Sequence, residues 1–343
     1  MSEDTVTRSA GAGPEVSAQE PRRSTLLRLR ERLSGLTVFL VFVLAVVWFA
    51  SQSPTFLTVD NVRIILLQSS VLGVAAVGAT MALIGGRLDI SQGAVISVIG
   101  VLVATFSAGG MNPYLAIAIS LAAGAALGAV NGLLSEAFVI PAFIATLGTA
   151  LILRGAAQVY TQGQSVALGS EGAEVWRALG LGRVGPVPVS VVIMVIVFGV
   201  AWFVMRRTAW GMRTYAVGSS ARASRVAGVR VRRHRIQLFV AAGALSALAG
   251  VLLAARLGSG APNNGQGAEF DIFAAVVLGG TSLFGGRGGI PRTFLGIVFL
   301  ATLSNGLVIT NVSSFYQGIV TGTVLLGALA LDRLRARSVN DDE

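Results

Sequence analysis

The chain contains no cysteine, no lysine and a single histidine among its 343 residues. Without cysteine there is no disulfide framework, no thiolate nucleophile and no Cys-ligated zinc or iron-sulfur centre. Without lysine all 26 basic residues are arginine, and a Walker A loop, whose lysine reaches the phosphates, is excluded. If the work of this protein consumes ATP, another chain hydrolyses it. The lone His234 is flanked by Arg232, Arg233 and Arg235, which repel a cation, so no metal site is expected. Charge itself is scarce, at 12% of residues against about a quarter in ordinary soluble domains.

Apolar residues fill the space that charge leaves. They make up 54% of the chain, with 43 glycines and a mean hydropathy of +0.76. No single core hides that much apolar surface, so lipid must solvate part of it, and the fold class expected is an all-α polytopic membrane protein. A hydrocarbon layer of about 30 Å needs about 20 helical residues. That window predicts ten spans, at residues 36–50, 64–85, 90–108, 114–137, 141–160, 187–205, 236–257, 272–284, 293–309 and 315–331. The eighth is short and runs into Gly279-Gly280 and Gly285-Gly286, the form of a broken helix beside a transport route.

Residues 1–34 read as a disordered cytoplasmic arm whose segment 26–33 is an interfacial helix, residues 35–332 as the membrane domain and 333–343 as a cytoplasmic tail. The arm is no signal peptide, because the first apolar stretch lies far from the start and many spans follow it. With both termini inside, 21 of the 26 arginines fall on the inner side. Arg63, Arg154, Arg177, Arg183 and Arg256 fall outside. This asymmetry sets the orientation and accounts for the net charge of +10 without nucleic acid.

Two short patterns recur. Leu88-Asp89-Ile90 between spans two and three returns as Phe270-Asp271-Ile272 between spans seven and eight, and Asn131-Gly132 in span four returns as Asn305-Gly306 in span nine. An offset of five spans reverses orientation, which is the pattern of an inverted repeat of spans 2–5 and 7–10; chance matching in a Gly- and Ala-rich chain is the competing reading. Asp89, at a membrane boundary, is a functional candidate, but it also stands just before a helix, and a capping role is favoured. In the 206–235 connection, residues 218–228 read as a short helix started by Ser219 or Ser220 and stopped at Gly228. Ala221, Ala223 and Ala227 keep it slim enough for a partner's groove, and Arg222 and Arg225 can meet acidic groups there. Nine arginines that merely enforce topology are the alternative, and composition does not separate the two. Gly279-Gly280-Thr281-Ser282 and 285–289 imitate a phosphate loop in composition only, so close packing or a turn is favoured. The sequon Asn311-Val312-Ser313 is taken as chance.

Taken in order, 88–93 (Leu-Asp-Ile-Ser-Gln-Gly), Asn131-Gly132-Leu133, 140–149, Arg154-Gly155, 216–228 and 274–283 with Gly285-Gly286 make the chain, over about residues 60–332, resemble the ribose-type permease subunits of bacterial ATP-binding-cassette importers. The resemblance implies a ten-helix type II importer permease, two copies or paralogues of which form the route. It implies a separate cytoplasmic ATPase carrying ATP and Mg, an extracytoplasmic sugar-binding protein, and residence among the lipids of the bacterial cytoplasmic (inner) membrane. No catalysis and no cofactor are expected in this chain. The coupling loop comprises Gly218, Ser219, Ser220, Ala221, Arg222, Ala223, Ser224, Arg225 and Gly228. The route or gate candidates are Asp89, Ser91, Asn131, Phe143, Thr146, Asp271 and Asn305. Ser220-Ala221 replaces the Asn-Glu usual in the family, and Pro291-Arg292 stands where glycine is usual. The alternatives are a branched-chain amino-acid permease of the same superfamily and an ion-coupled transporter. The second needs a midplane ionisable relay, and the central spans have almost no Asp, Glu or His. A membrane enzyme would need a nucleophile-base constellation, and none is found.

Overall fold

A computed structural model describes residues 39–313 and, beyond them, 316, 318–320, 322–324 and 326–327. The expected arm 1–34, the tail 333–343 and much of the tenth span lie outside the described residues. Within them the chain is helical: α1 (Phe39–Gln52), α2 (Val59–Ile84), α3 (Gln92–Ala108), α4 (Pro113–Ala137), α5 (Ala142–Thr161), α6 (Ala173–Leu181), α7 (Val189–Arg207), α8 (Ala209–Ser219), α9 (Ala221–Val226), α10 (Val231–Leu257), α11 (Ala268–Leu278) and α12 (Ile290–Ile309). Four two-residue strands form two antiparallel pairs, β1 (Val166–Ala167) with β4 (Ser259–Gly260) and β2 (Arg183–Val184) with β3 (Val187–Pro188).

Six helices, α2, α4, α5, α7, α10 and α12, are long and apolar enough to cross a membrane. Most carry no polar face, because lipid or another apolar helix meets them on all sides. Helix α10 sits at the centre against α2, α3 and α4. Its crossing with α4 is made by glycines four residues apart. A Cβ on Gly128 would come within 2.1 Å of the Phe239 carbonyl, and one on Gly243 within 2.2 Å of the Gly124 carbonyl. Such small-residue seams let backbones touch where lipid supplies no hydrophobic drive between helices.

The eighth span differs from expectation. Helix α11 starts at Ala268 and stops at Leu278, because Gly279 and Gly280 (φ +79°) end it, and the residues up to Gly289 are not helical. Its 11 residues rise about 16 Å, roughly half the hydrocarbon thickness. Helix α10 begins five residues earlier than predicted, at Val231. Helices α6 and α8 were not anticipated. Trp176 of α6 is buried, and Gly180 packs on the Ala255 carbonyl at the far end of α10.

Contacts define two ends of the bundle. At one, Ile84, Glu136, Gly218 and Gly286 converge, with the Gly286 N–H donating to the Ile84 carbonyl at 2.8 Å. At the other, the Gly169 N–H donates to Ser107 Oγ at 3.0 Å, and Asn61 and Asn305 exchange two amide hydrogen bonds of 2.9 Å. Arg87, Arg225, Arg230, Arg232, Arg233 and Arg235 lie with Glu136 at the first end.

Candidate functional site

From Thr208 to Gly228 the chain forms an elbow of two helices that meet at Ser220. Helix α8 is capped by Thr208, whose Oγ1 accepts from the Gly211 N–H, and is tied to α10 by Thr214 Oγ1–His234 Nε2 (2.9 Å) and Trp210 Nε1–Gln237 Oε1 (3.2 Å). His234 is buried in that contact. The phenol of Tyr215 donates to the Gly288 carbonyl; burial pushes its pKa up, with Arg292 opposing, so it stays a neutral donor. Gly218 and Ser219 are the last residues of α8. The chain is extended at Ser220 (φ −154°, ψ 104°), whose Oγ accepts from the Ala223 N–H and starts α9. The short helix expected within 218–228 is therefore α9, with Ser220 as its N-cap and Gly228 (φ +82°) as the turn that follows it, while Gly218 and Ser219 belong to the helix before it. Arg222, Ala223, Arg225 and Val226 face outward, whereas Ser224 is buried.

The inner corner of this elbow is sealed by backbone. A Cβ on Gly218 would come within 1.8 Å of the Ile84 carbonyl and 2.5 Å of the Gly286 nitrogen. Gly86, Gly285 and Gly286 all have positive φ, and Gly286 packs against Ser219. The glycine runs that imitate a phosphate loop in composition are thus a packing joint, joining the end of α2, the elbow and the entry to α12.

From Ile84 the chain passes through 85–91 into the buried polar cluster. Asp89 Oδ1 accepts from the Ser91 N–H (2.9 Å) and Ser91 Oγ (2.6 Å). Ser91 Oγ accepts from Asn131 Nδ2 at 2.8 Å, Asn131 Oδ1 accepts from Thr149 Oγ1 at 2.6 Å, and Thr146 Oγ1 accepts from the Ile90 N–H at 3.2 Å. Four expected residues, Asp89, Ser91, Asn131 and Thr146, therefore form one network across α3, α4 and α5. The capping role favoured for Asp89 is corrected: the N-cap of α3 is Ser91, which makes no side-chain cap bond, and Asp89 satisfies only the Ser91 N–H and hydroxyl.

The other three candidates lie elsewhere. Phe143 is 48% exposed on the outer face of α5. Asn305 pairs with Asn61 of α2. Asp271, in the first turn of α11, lines a cavity of about 530 Å³ with Gln68, Arg256 and Asn264.

Sequence reasoning missed two ion pairs. Where α3 and α11 begin, Gly93 packs on Gly265 and Glu269, and the Gly265 N–H donates to Ser97 Oγ at 2.9 Å. Arg154 Nη2 from α5 meets Glu269 Oε1 at 2.6 Å, with the Glu269 side chain 4% exposed. Glu269 Oε2, Arg154 Nε and Gln92 Nε2 are buried there without hydrogen-bond partners. The signal was present: Arg154 is the one charged residue between Glu136 and Glu171, and a lone charge in an apolar helix requires a partner. At the arginine-rich end, Glu136 is gripped by Arg87, its Nε 2.5 Å away, and more loosely by Arg235 at 3.8 Å. Among the described residues no group of three or more His, Asp or Glu side chains is placed to hold a metal ion.

The described residues thus form a bundle of apolar helices with a polar cluster buried behind a backbone-sealed elbow. Residues 61–329 match the family described as branched-chain amino acid transport system / permease component, and the chain belongs to that family. It is 41% identical over 296 residues to the ribose import permease protein RbsC of Escherichia coli (strain K12), covering 86% of this chain and 92% of that one. Its identity to the ribose import permease protein RbsC of Bacillus subtilis (strain 168) is 40% over 299 residues, covering 87% and 92%. Its identity to the D-allose transport system permease protein AlsC of Escherichia coli (strain K12) is 36% over 299 residues, covering 86% and 90%. No solved structure matches the chain.

Proposed function

We propose that this chain is the membrane-spanning subunit of an ATP-driven importer for a monosaccharide or a related small polar solute. The reading rests on the similarity to ribose and D-allose permeases over most of the chain and on one observation, the seating of Gly218 between Ile84 and Gly286. A separate ATPase, holding ATP and Mg, grips the exposed α9; an extracytoplasmic binding protein delivers the solute; and a second permease subunit completes the route. The arginine-rich end is cytoplasmic, as are both termini, and the chain makes ten membrane passages, counting α1, the short α3 and α11, and the segment after Asn311. Helices α3 and α11, both short, begin against each other at Gly93 and Gly265, which supports an inverted repeat. The repeat is imperfect in detail: Asn131 bonds the loop before α3, whereas Asn305 bonds α2.

The coupling follows from stiffness. Displacement of α9 turns the elbow at Ser220, and because Gly218 touches backbone on both sides, the motion passes undamped to Ile84 and to Gly286. From Ile84 it reaches Asp89 and Ser91, and through Asn131 and Thr149 it reaches α5. Arg222→Glu with Arg225→Glu is expected to reduce co-purification of the ATPase and sugar uptake together, with a loss of association that shrinks as salt rises, because both side chains are exposed and screened. Normal uptake and co-purification at matched expression would show that these arginines set topology only.

Orientation has its own check. In this cysteine-free chain, Ser219→Cys should be labelled by an impermeant maleimide in inside-out vesicles and be silent in intact cells. Labelling from outside would reverse the assignment. The description of the family favours one other substrate class, a branched-chain amino acid. Uptake of labelled ribose and labelled leucine by the assembled importer separates the two readings.

A further inference from the structure

At the arginine-rich end, between the end of α4 and the start of α10, lies an open cavity of about 940 Å³. Arg87, Arg225, Arg230, Arg232, Arg233 and Arg235 line it, and Glu136 is the one acidic residue among the lining. Glu136 is already shared by Arg87 and Arg235. Four positive charges on the rim thus remain uncompensated by any lining carboxylate. The positive-inside rule explains why arginines lie at this end, but not why they converge on a hollow.

Their place on α10 sharpens the point. Arg230 is the N-cap, Arg232, Arg233 and Arg235 follow in the first turns, no acidic residue occupies the first turn, and no side chain caps the helix. The helix dipole is positive at that end, so cations there are unfavourable unless an anion joins them. Two further polar atoms on the cavity lining, Ser135 Oγ and Arg235 Nε, are buried without a hydrogen-bond partner. The lip of the cavity is apolar and bare. Val139, which lines it, is 83% exposed and held at φ +59°, a backbone region that β-branched residues rarely adopt, and the adjoining Phe138 is 71% exposed.

A site with a guanidinium ring, a helix N-terminus and an apolar lip matches a phosphate that carries an acyl chain. Guanidinium groups take phosphate oxygens in pairs of hydrogen bonds, and basic hollows between transmembrane helices suit anionic lipid headgroups. We propose that this cavity binds the phosphate headgroup of an anionic glycerophospholipid, with Phe138 and Val139 against its acyl region. The bound lipid would neutralise the first turn of α10 and fix the base of α4 beside the elbow.

The test uses the full chain purified in detergent and exchanged into nanodiscs of phosphatidylcholine with a minor fraction of phosphatidylglycerol. Lipid retained after extraction is counted by native mass spectrometry, for wild type, for Arg230→Gln with Arg233→Gln, and for Arg230→Lys with Arg233→Lys. Both residues are exposed, so folding should persist, which is checked by an unchanged thermal midpoint in pure phosphatidylcholine. The expected result is about a tenfold preference of wild type for phosphatidylglycerol, near parity in the glutamine variant and substantial recovery in the lysine variant. Equal retention of the two lipids by wild type, or an undiminished preference in the glutamine variant, would overturn the proposal. Displacement of the lipid by equimolar inorganic phosphate would overturn it in favour of a free-anion site. Loss of ATPase association in the glutamine variant, with lipid preference intact, would overturn it in favour of a protein contact.

Discussion

Gly218→Ala is expected to abolish sugar uptake while the protein still inserts and co-purifies with its ATPase. A single methyl at this position falls 1.8 Å from the Ile84 carbonyl oxygen and 2.5 Å from the Gly286 nitrogen, and both are backbone atoms with no side-chain torsion to give way. Overpacking of this kind costs about 1–3 kcal/mol when surroundings can shift, and here the shift required is a parting of α2, α8 and the loop before α12. That parting uncouples the elbow from Asp89 and Ser91 rather than unfolding the bundle. Two glycines serve as controls. A Cβ on Gly199 of α7 meets nothing within 4 Å, so Gly199→Ala should be silent or slightly stabilising. Gly228 also has open space, but its φ of +82° disfavours any other side chain, so Gly228→Val should weaken transport through local strain alone and Gly228→Asn less so. Uptake and ATPase co-purification at matched expression make the measurement. Normal uptake in Gly218→Ala would remove the joint from the coupling route.

Arg154→Ala should cost the protein more stability than Gly218→Ala does. It leaves Glu269 beneath α3 with 4% of its side chain exposed, facing Gly93 with no counter-charge. Removing one partner of a buried ion pair costs about 3–5 kcal/mol, mostly the desolvation of the charge left behind. The double substitution Arg154→Gln with Glu269→Gln should recover most of the loss, since two neutral amides bear no such cost and can still hydrogen-bond. Thermal denaturation in detergent of Arg154→Gln, Glu269→Gln and the double variant closes the cycle. Additive losses would mean that the pair does not hold the first turns of α3 and α11 together. Arg63 and Asp60 provide the contrast, because Asp60 is largely exposed and its loss should be near neutral.

The spans that could be placed from the sequence were those for which length and apolarity are sufficient, since a bilayer imposes both on each crossing helix independently of its neighbours. Helices α4, α5, α7 and α12 began and ended within a few residues of expectation. The early stop of α11 was foreshadowed by Gly279-Gly280, a local signal. The start of α9 at Ser220 and its stop at Gly228 were local signals too, but α8 and its seating were not, because they depend on packing Gly218 against Ile84 and Gly286, residues about 130 and 70 positions away along the chain. The two Asn-Gly pairs illustrate the same limit. They look equivalent in the sequence, yet Asn131 faces Ser91 and Asn305 faces Asn61, because the partner of a buried amide is whichever polar group the opposing helix presents.

Composition alone determined that lipid is the solvent and that no phosphate loop or thiol chemistry resides in this chain. These properties depend on residue counts and on nearest neighbours along the chain, which need no coordinates. Tertiary structure alone decided that Asp89 serves a hydrogen-bond network rather than a helix cap, that Arg154 and Glu269 meet, and that six arginines encircle one hollow around a single occupied carboxylate. Each of those depends on which helix faces which. In this bundle that is set by backbone contact at glycine seams, where helices that look alike in hydropathy differ by the placement of one missing Cβ.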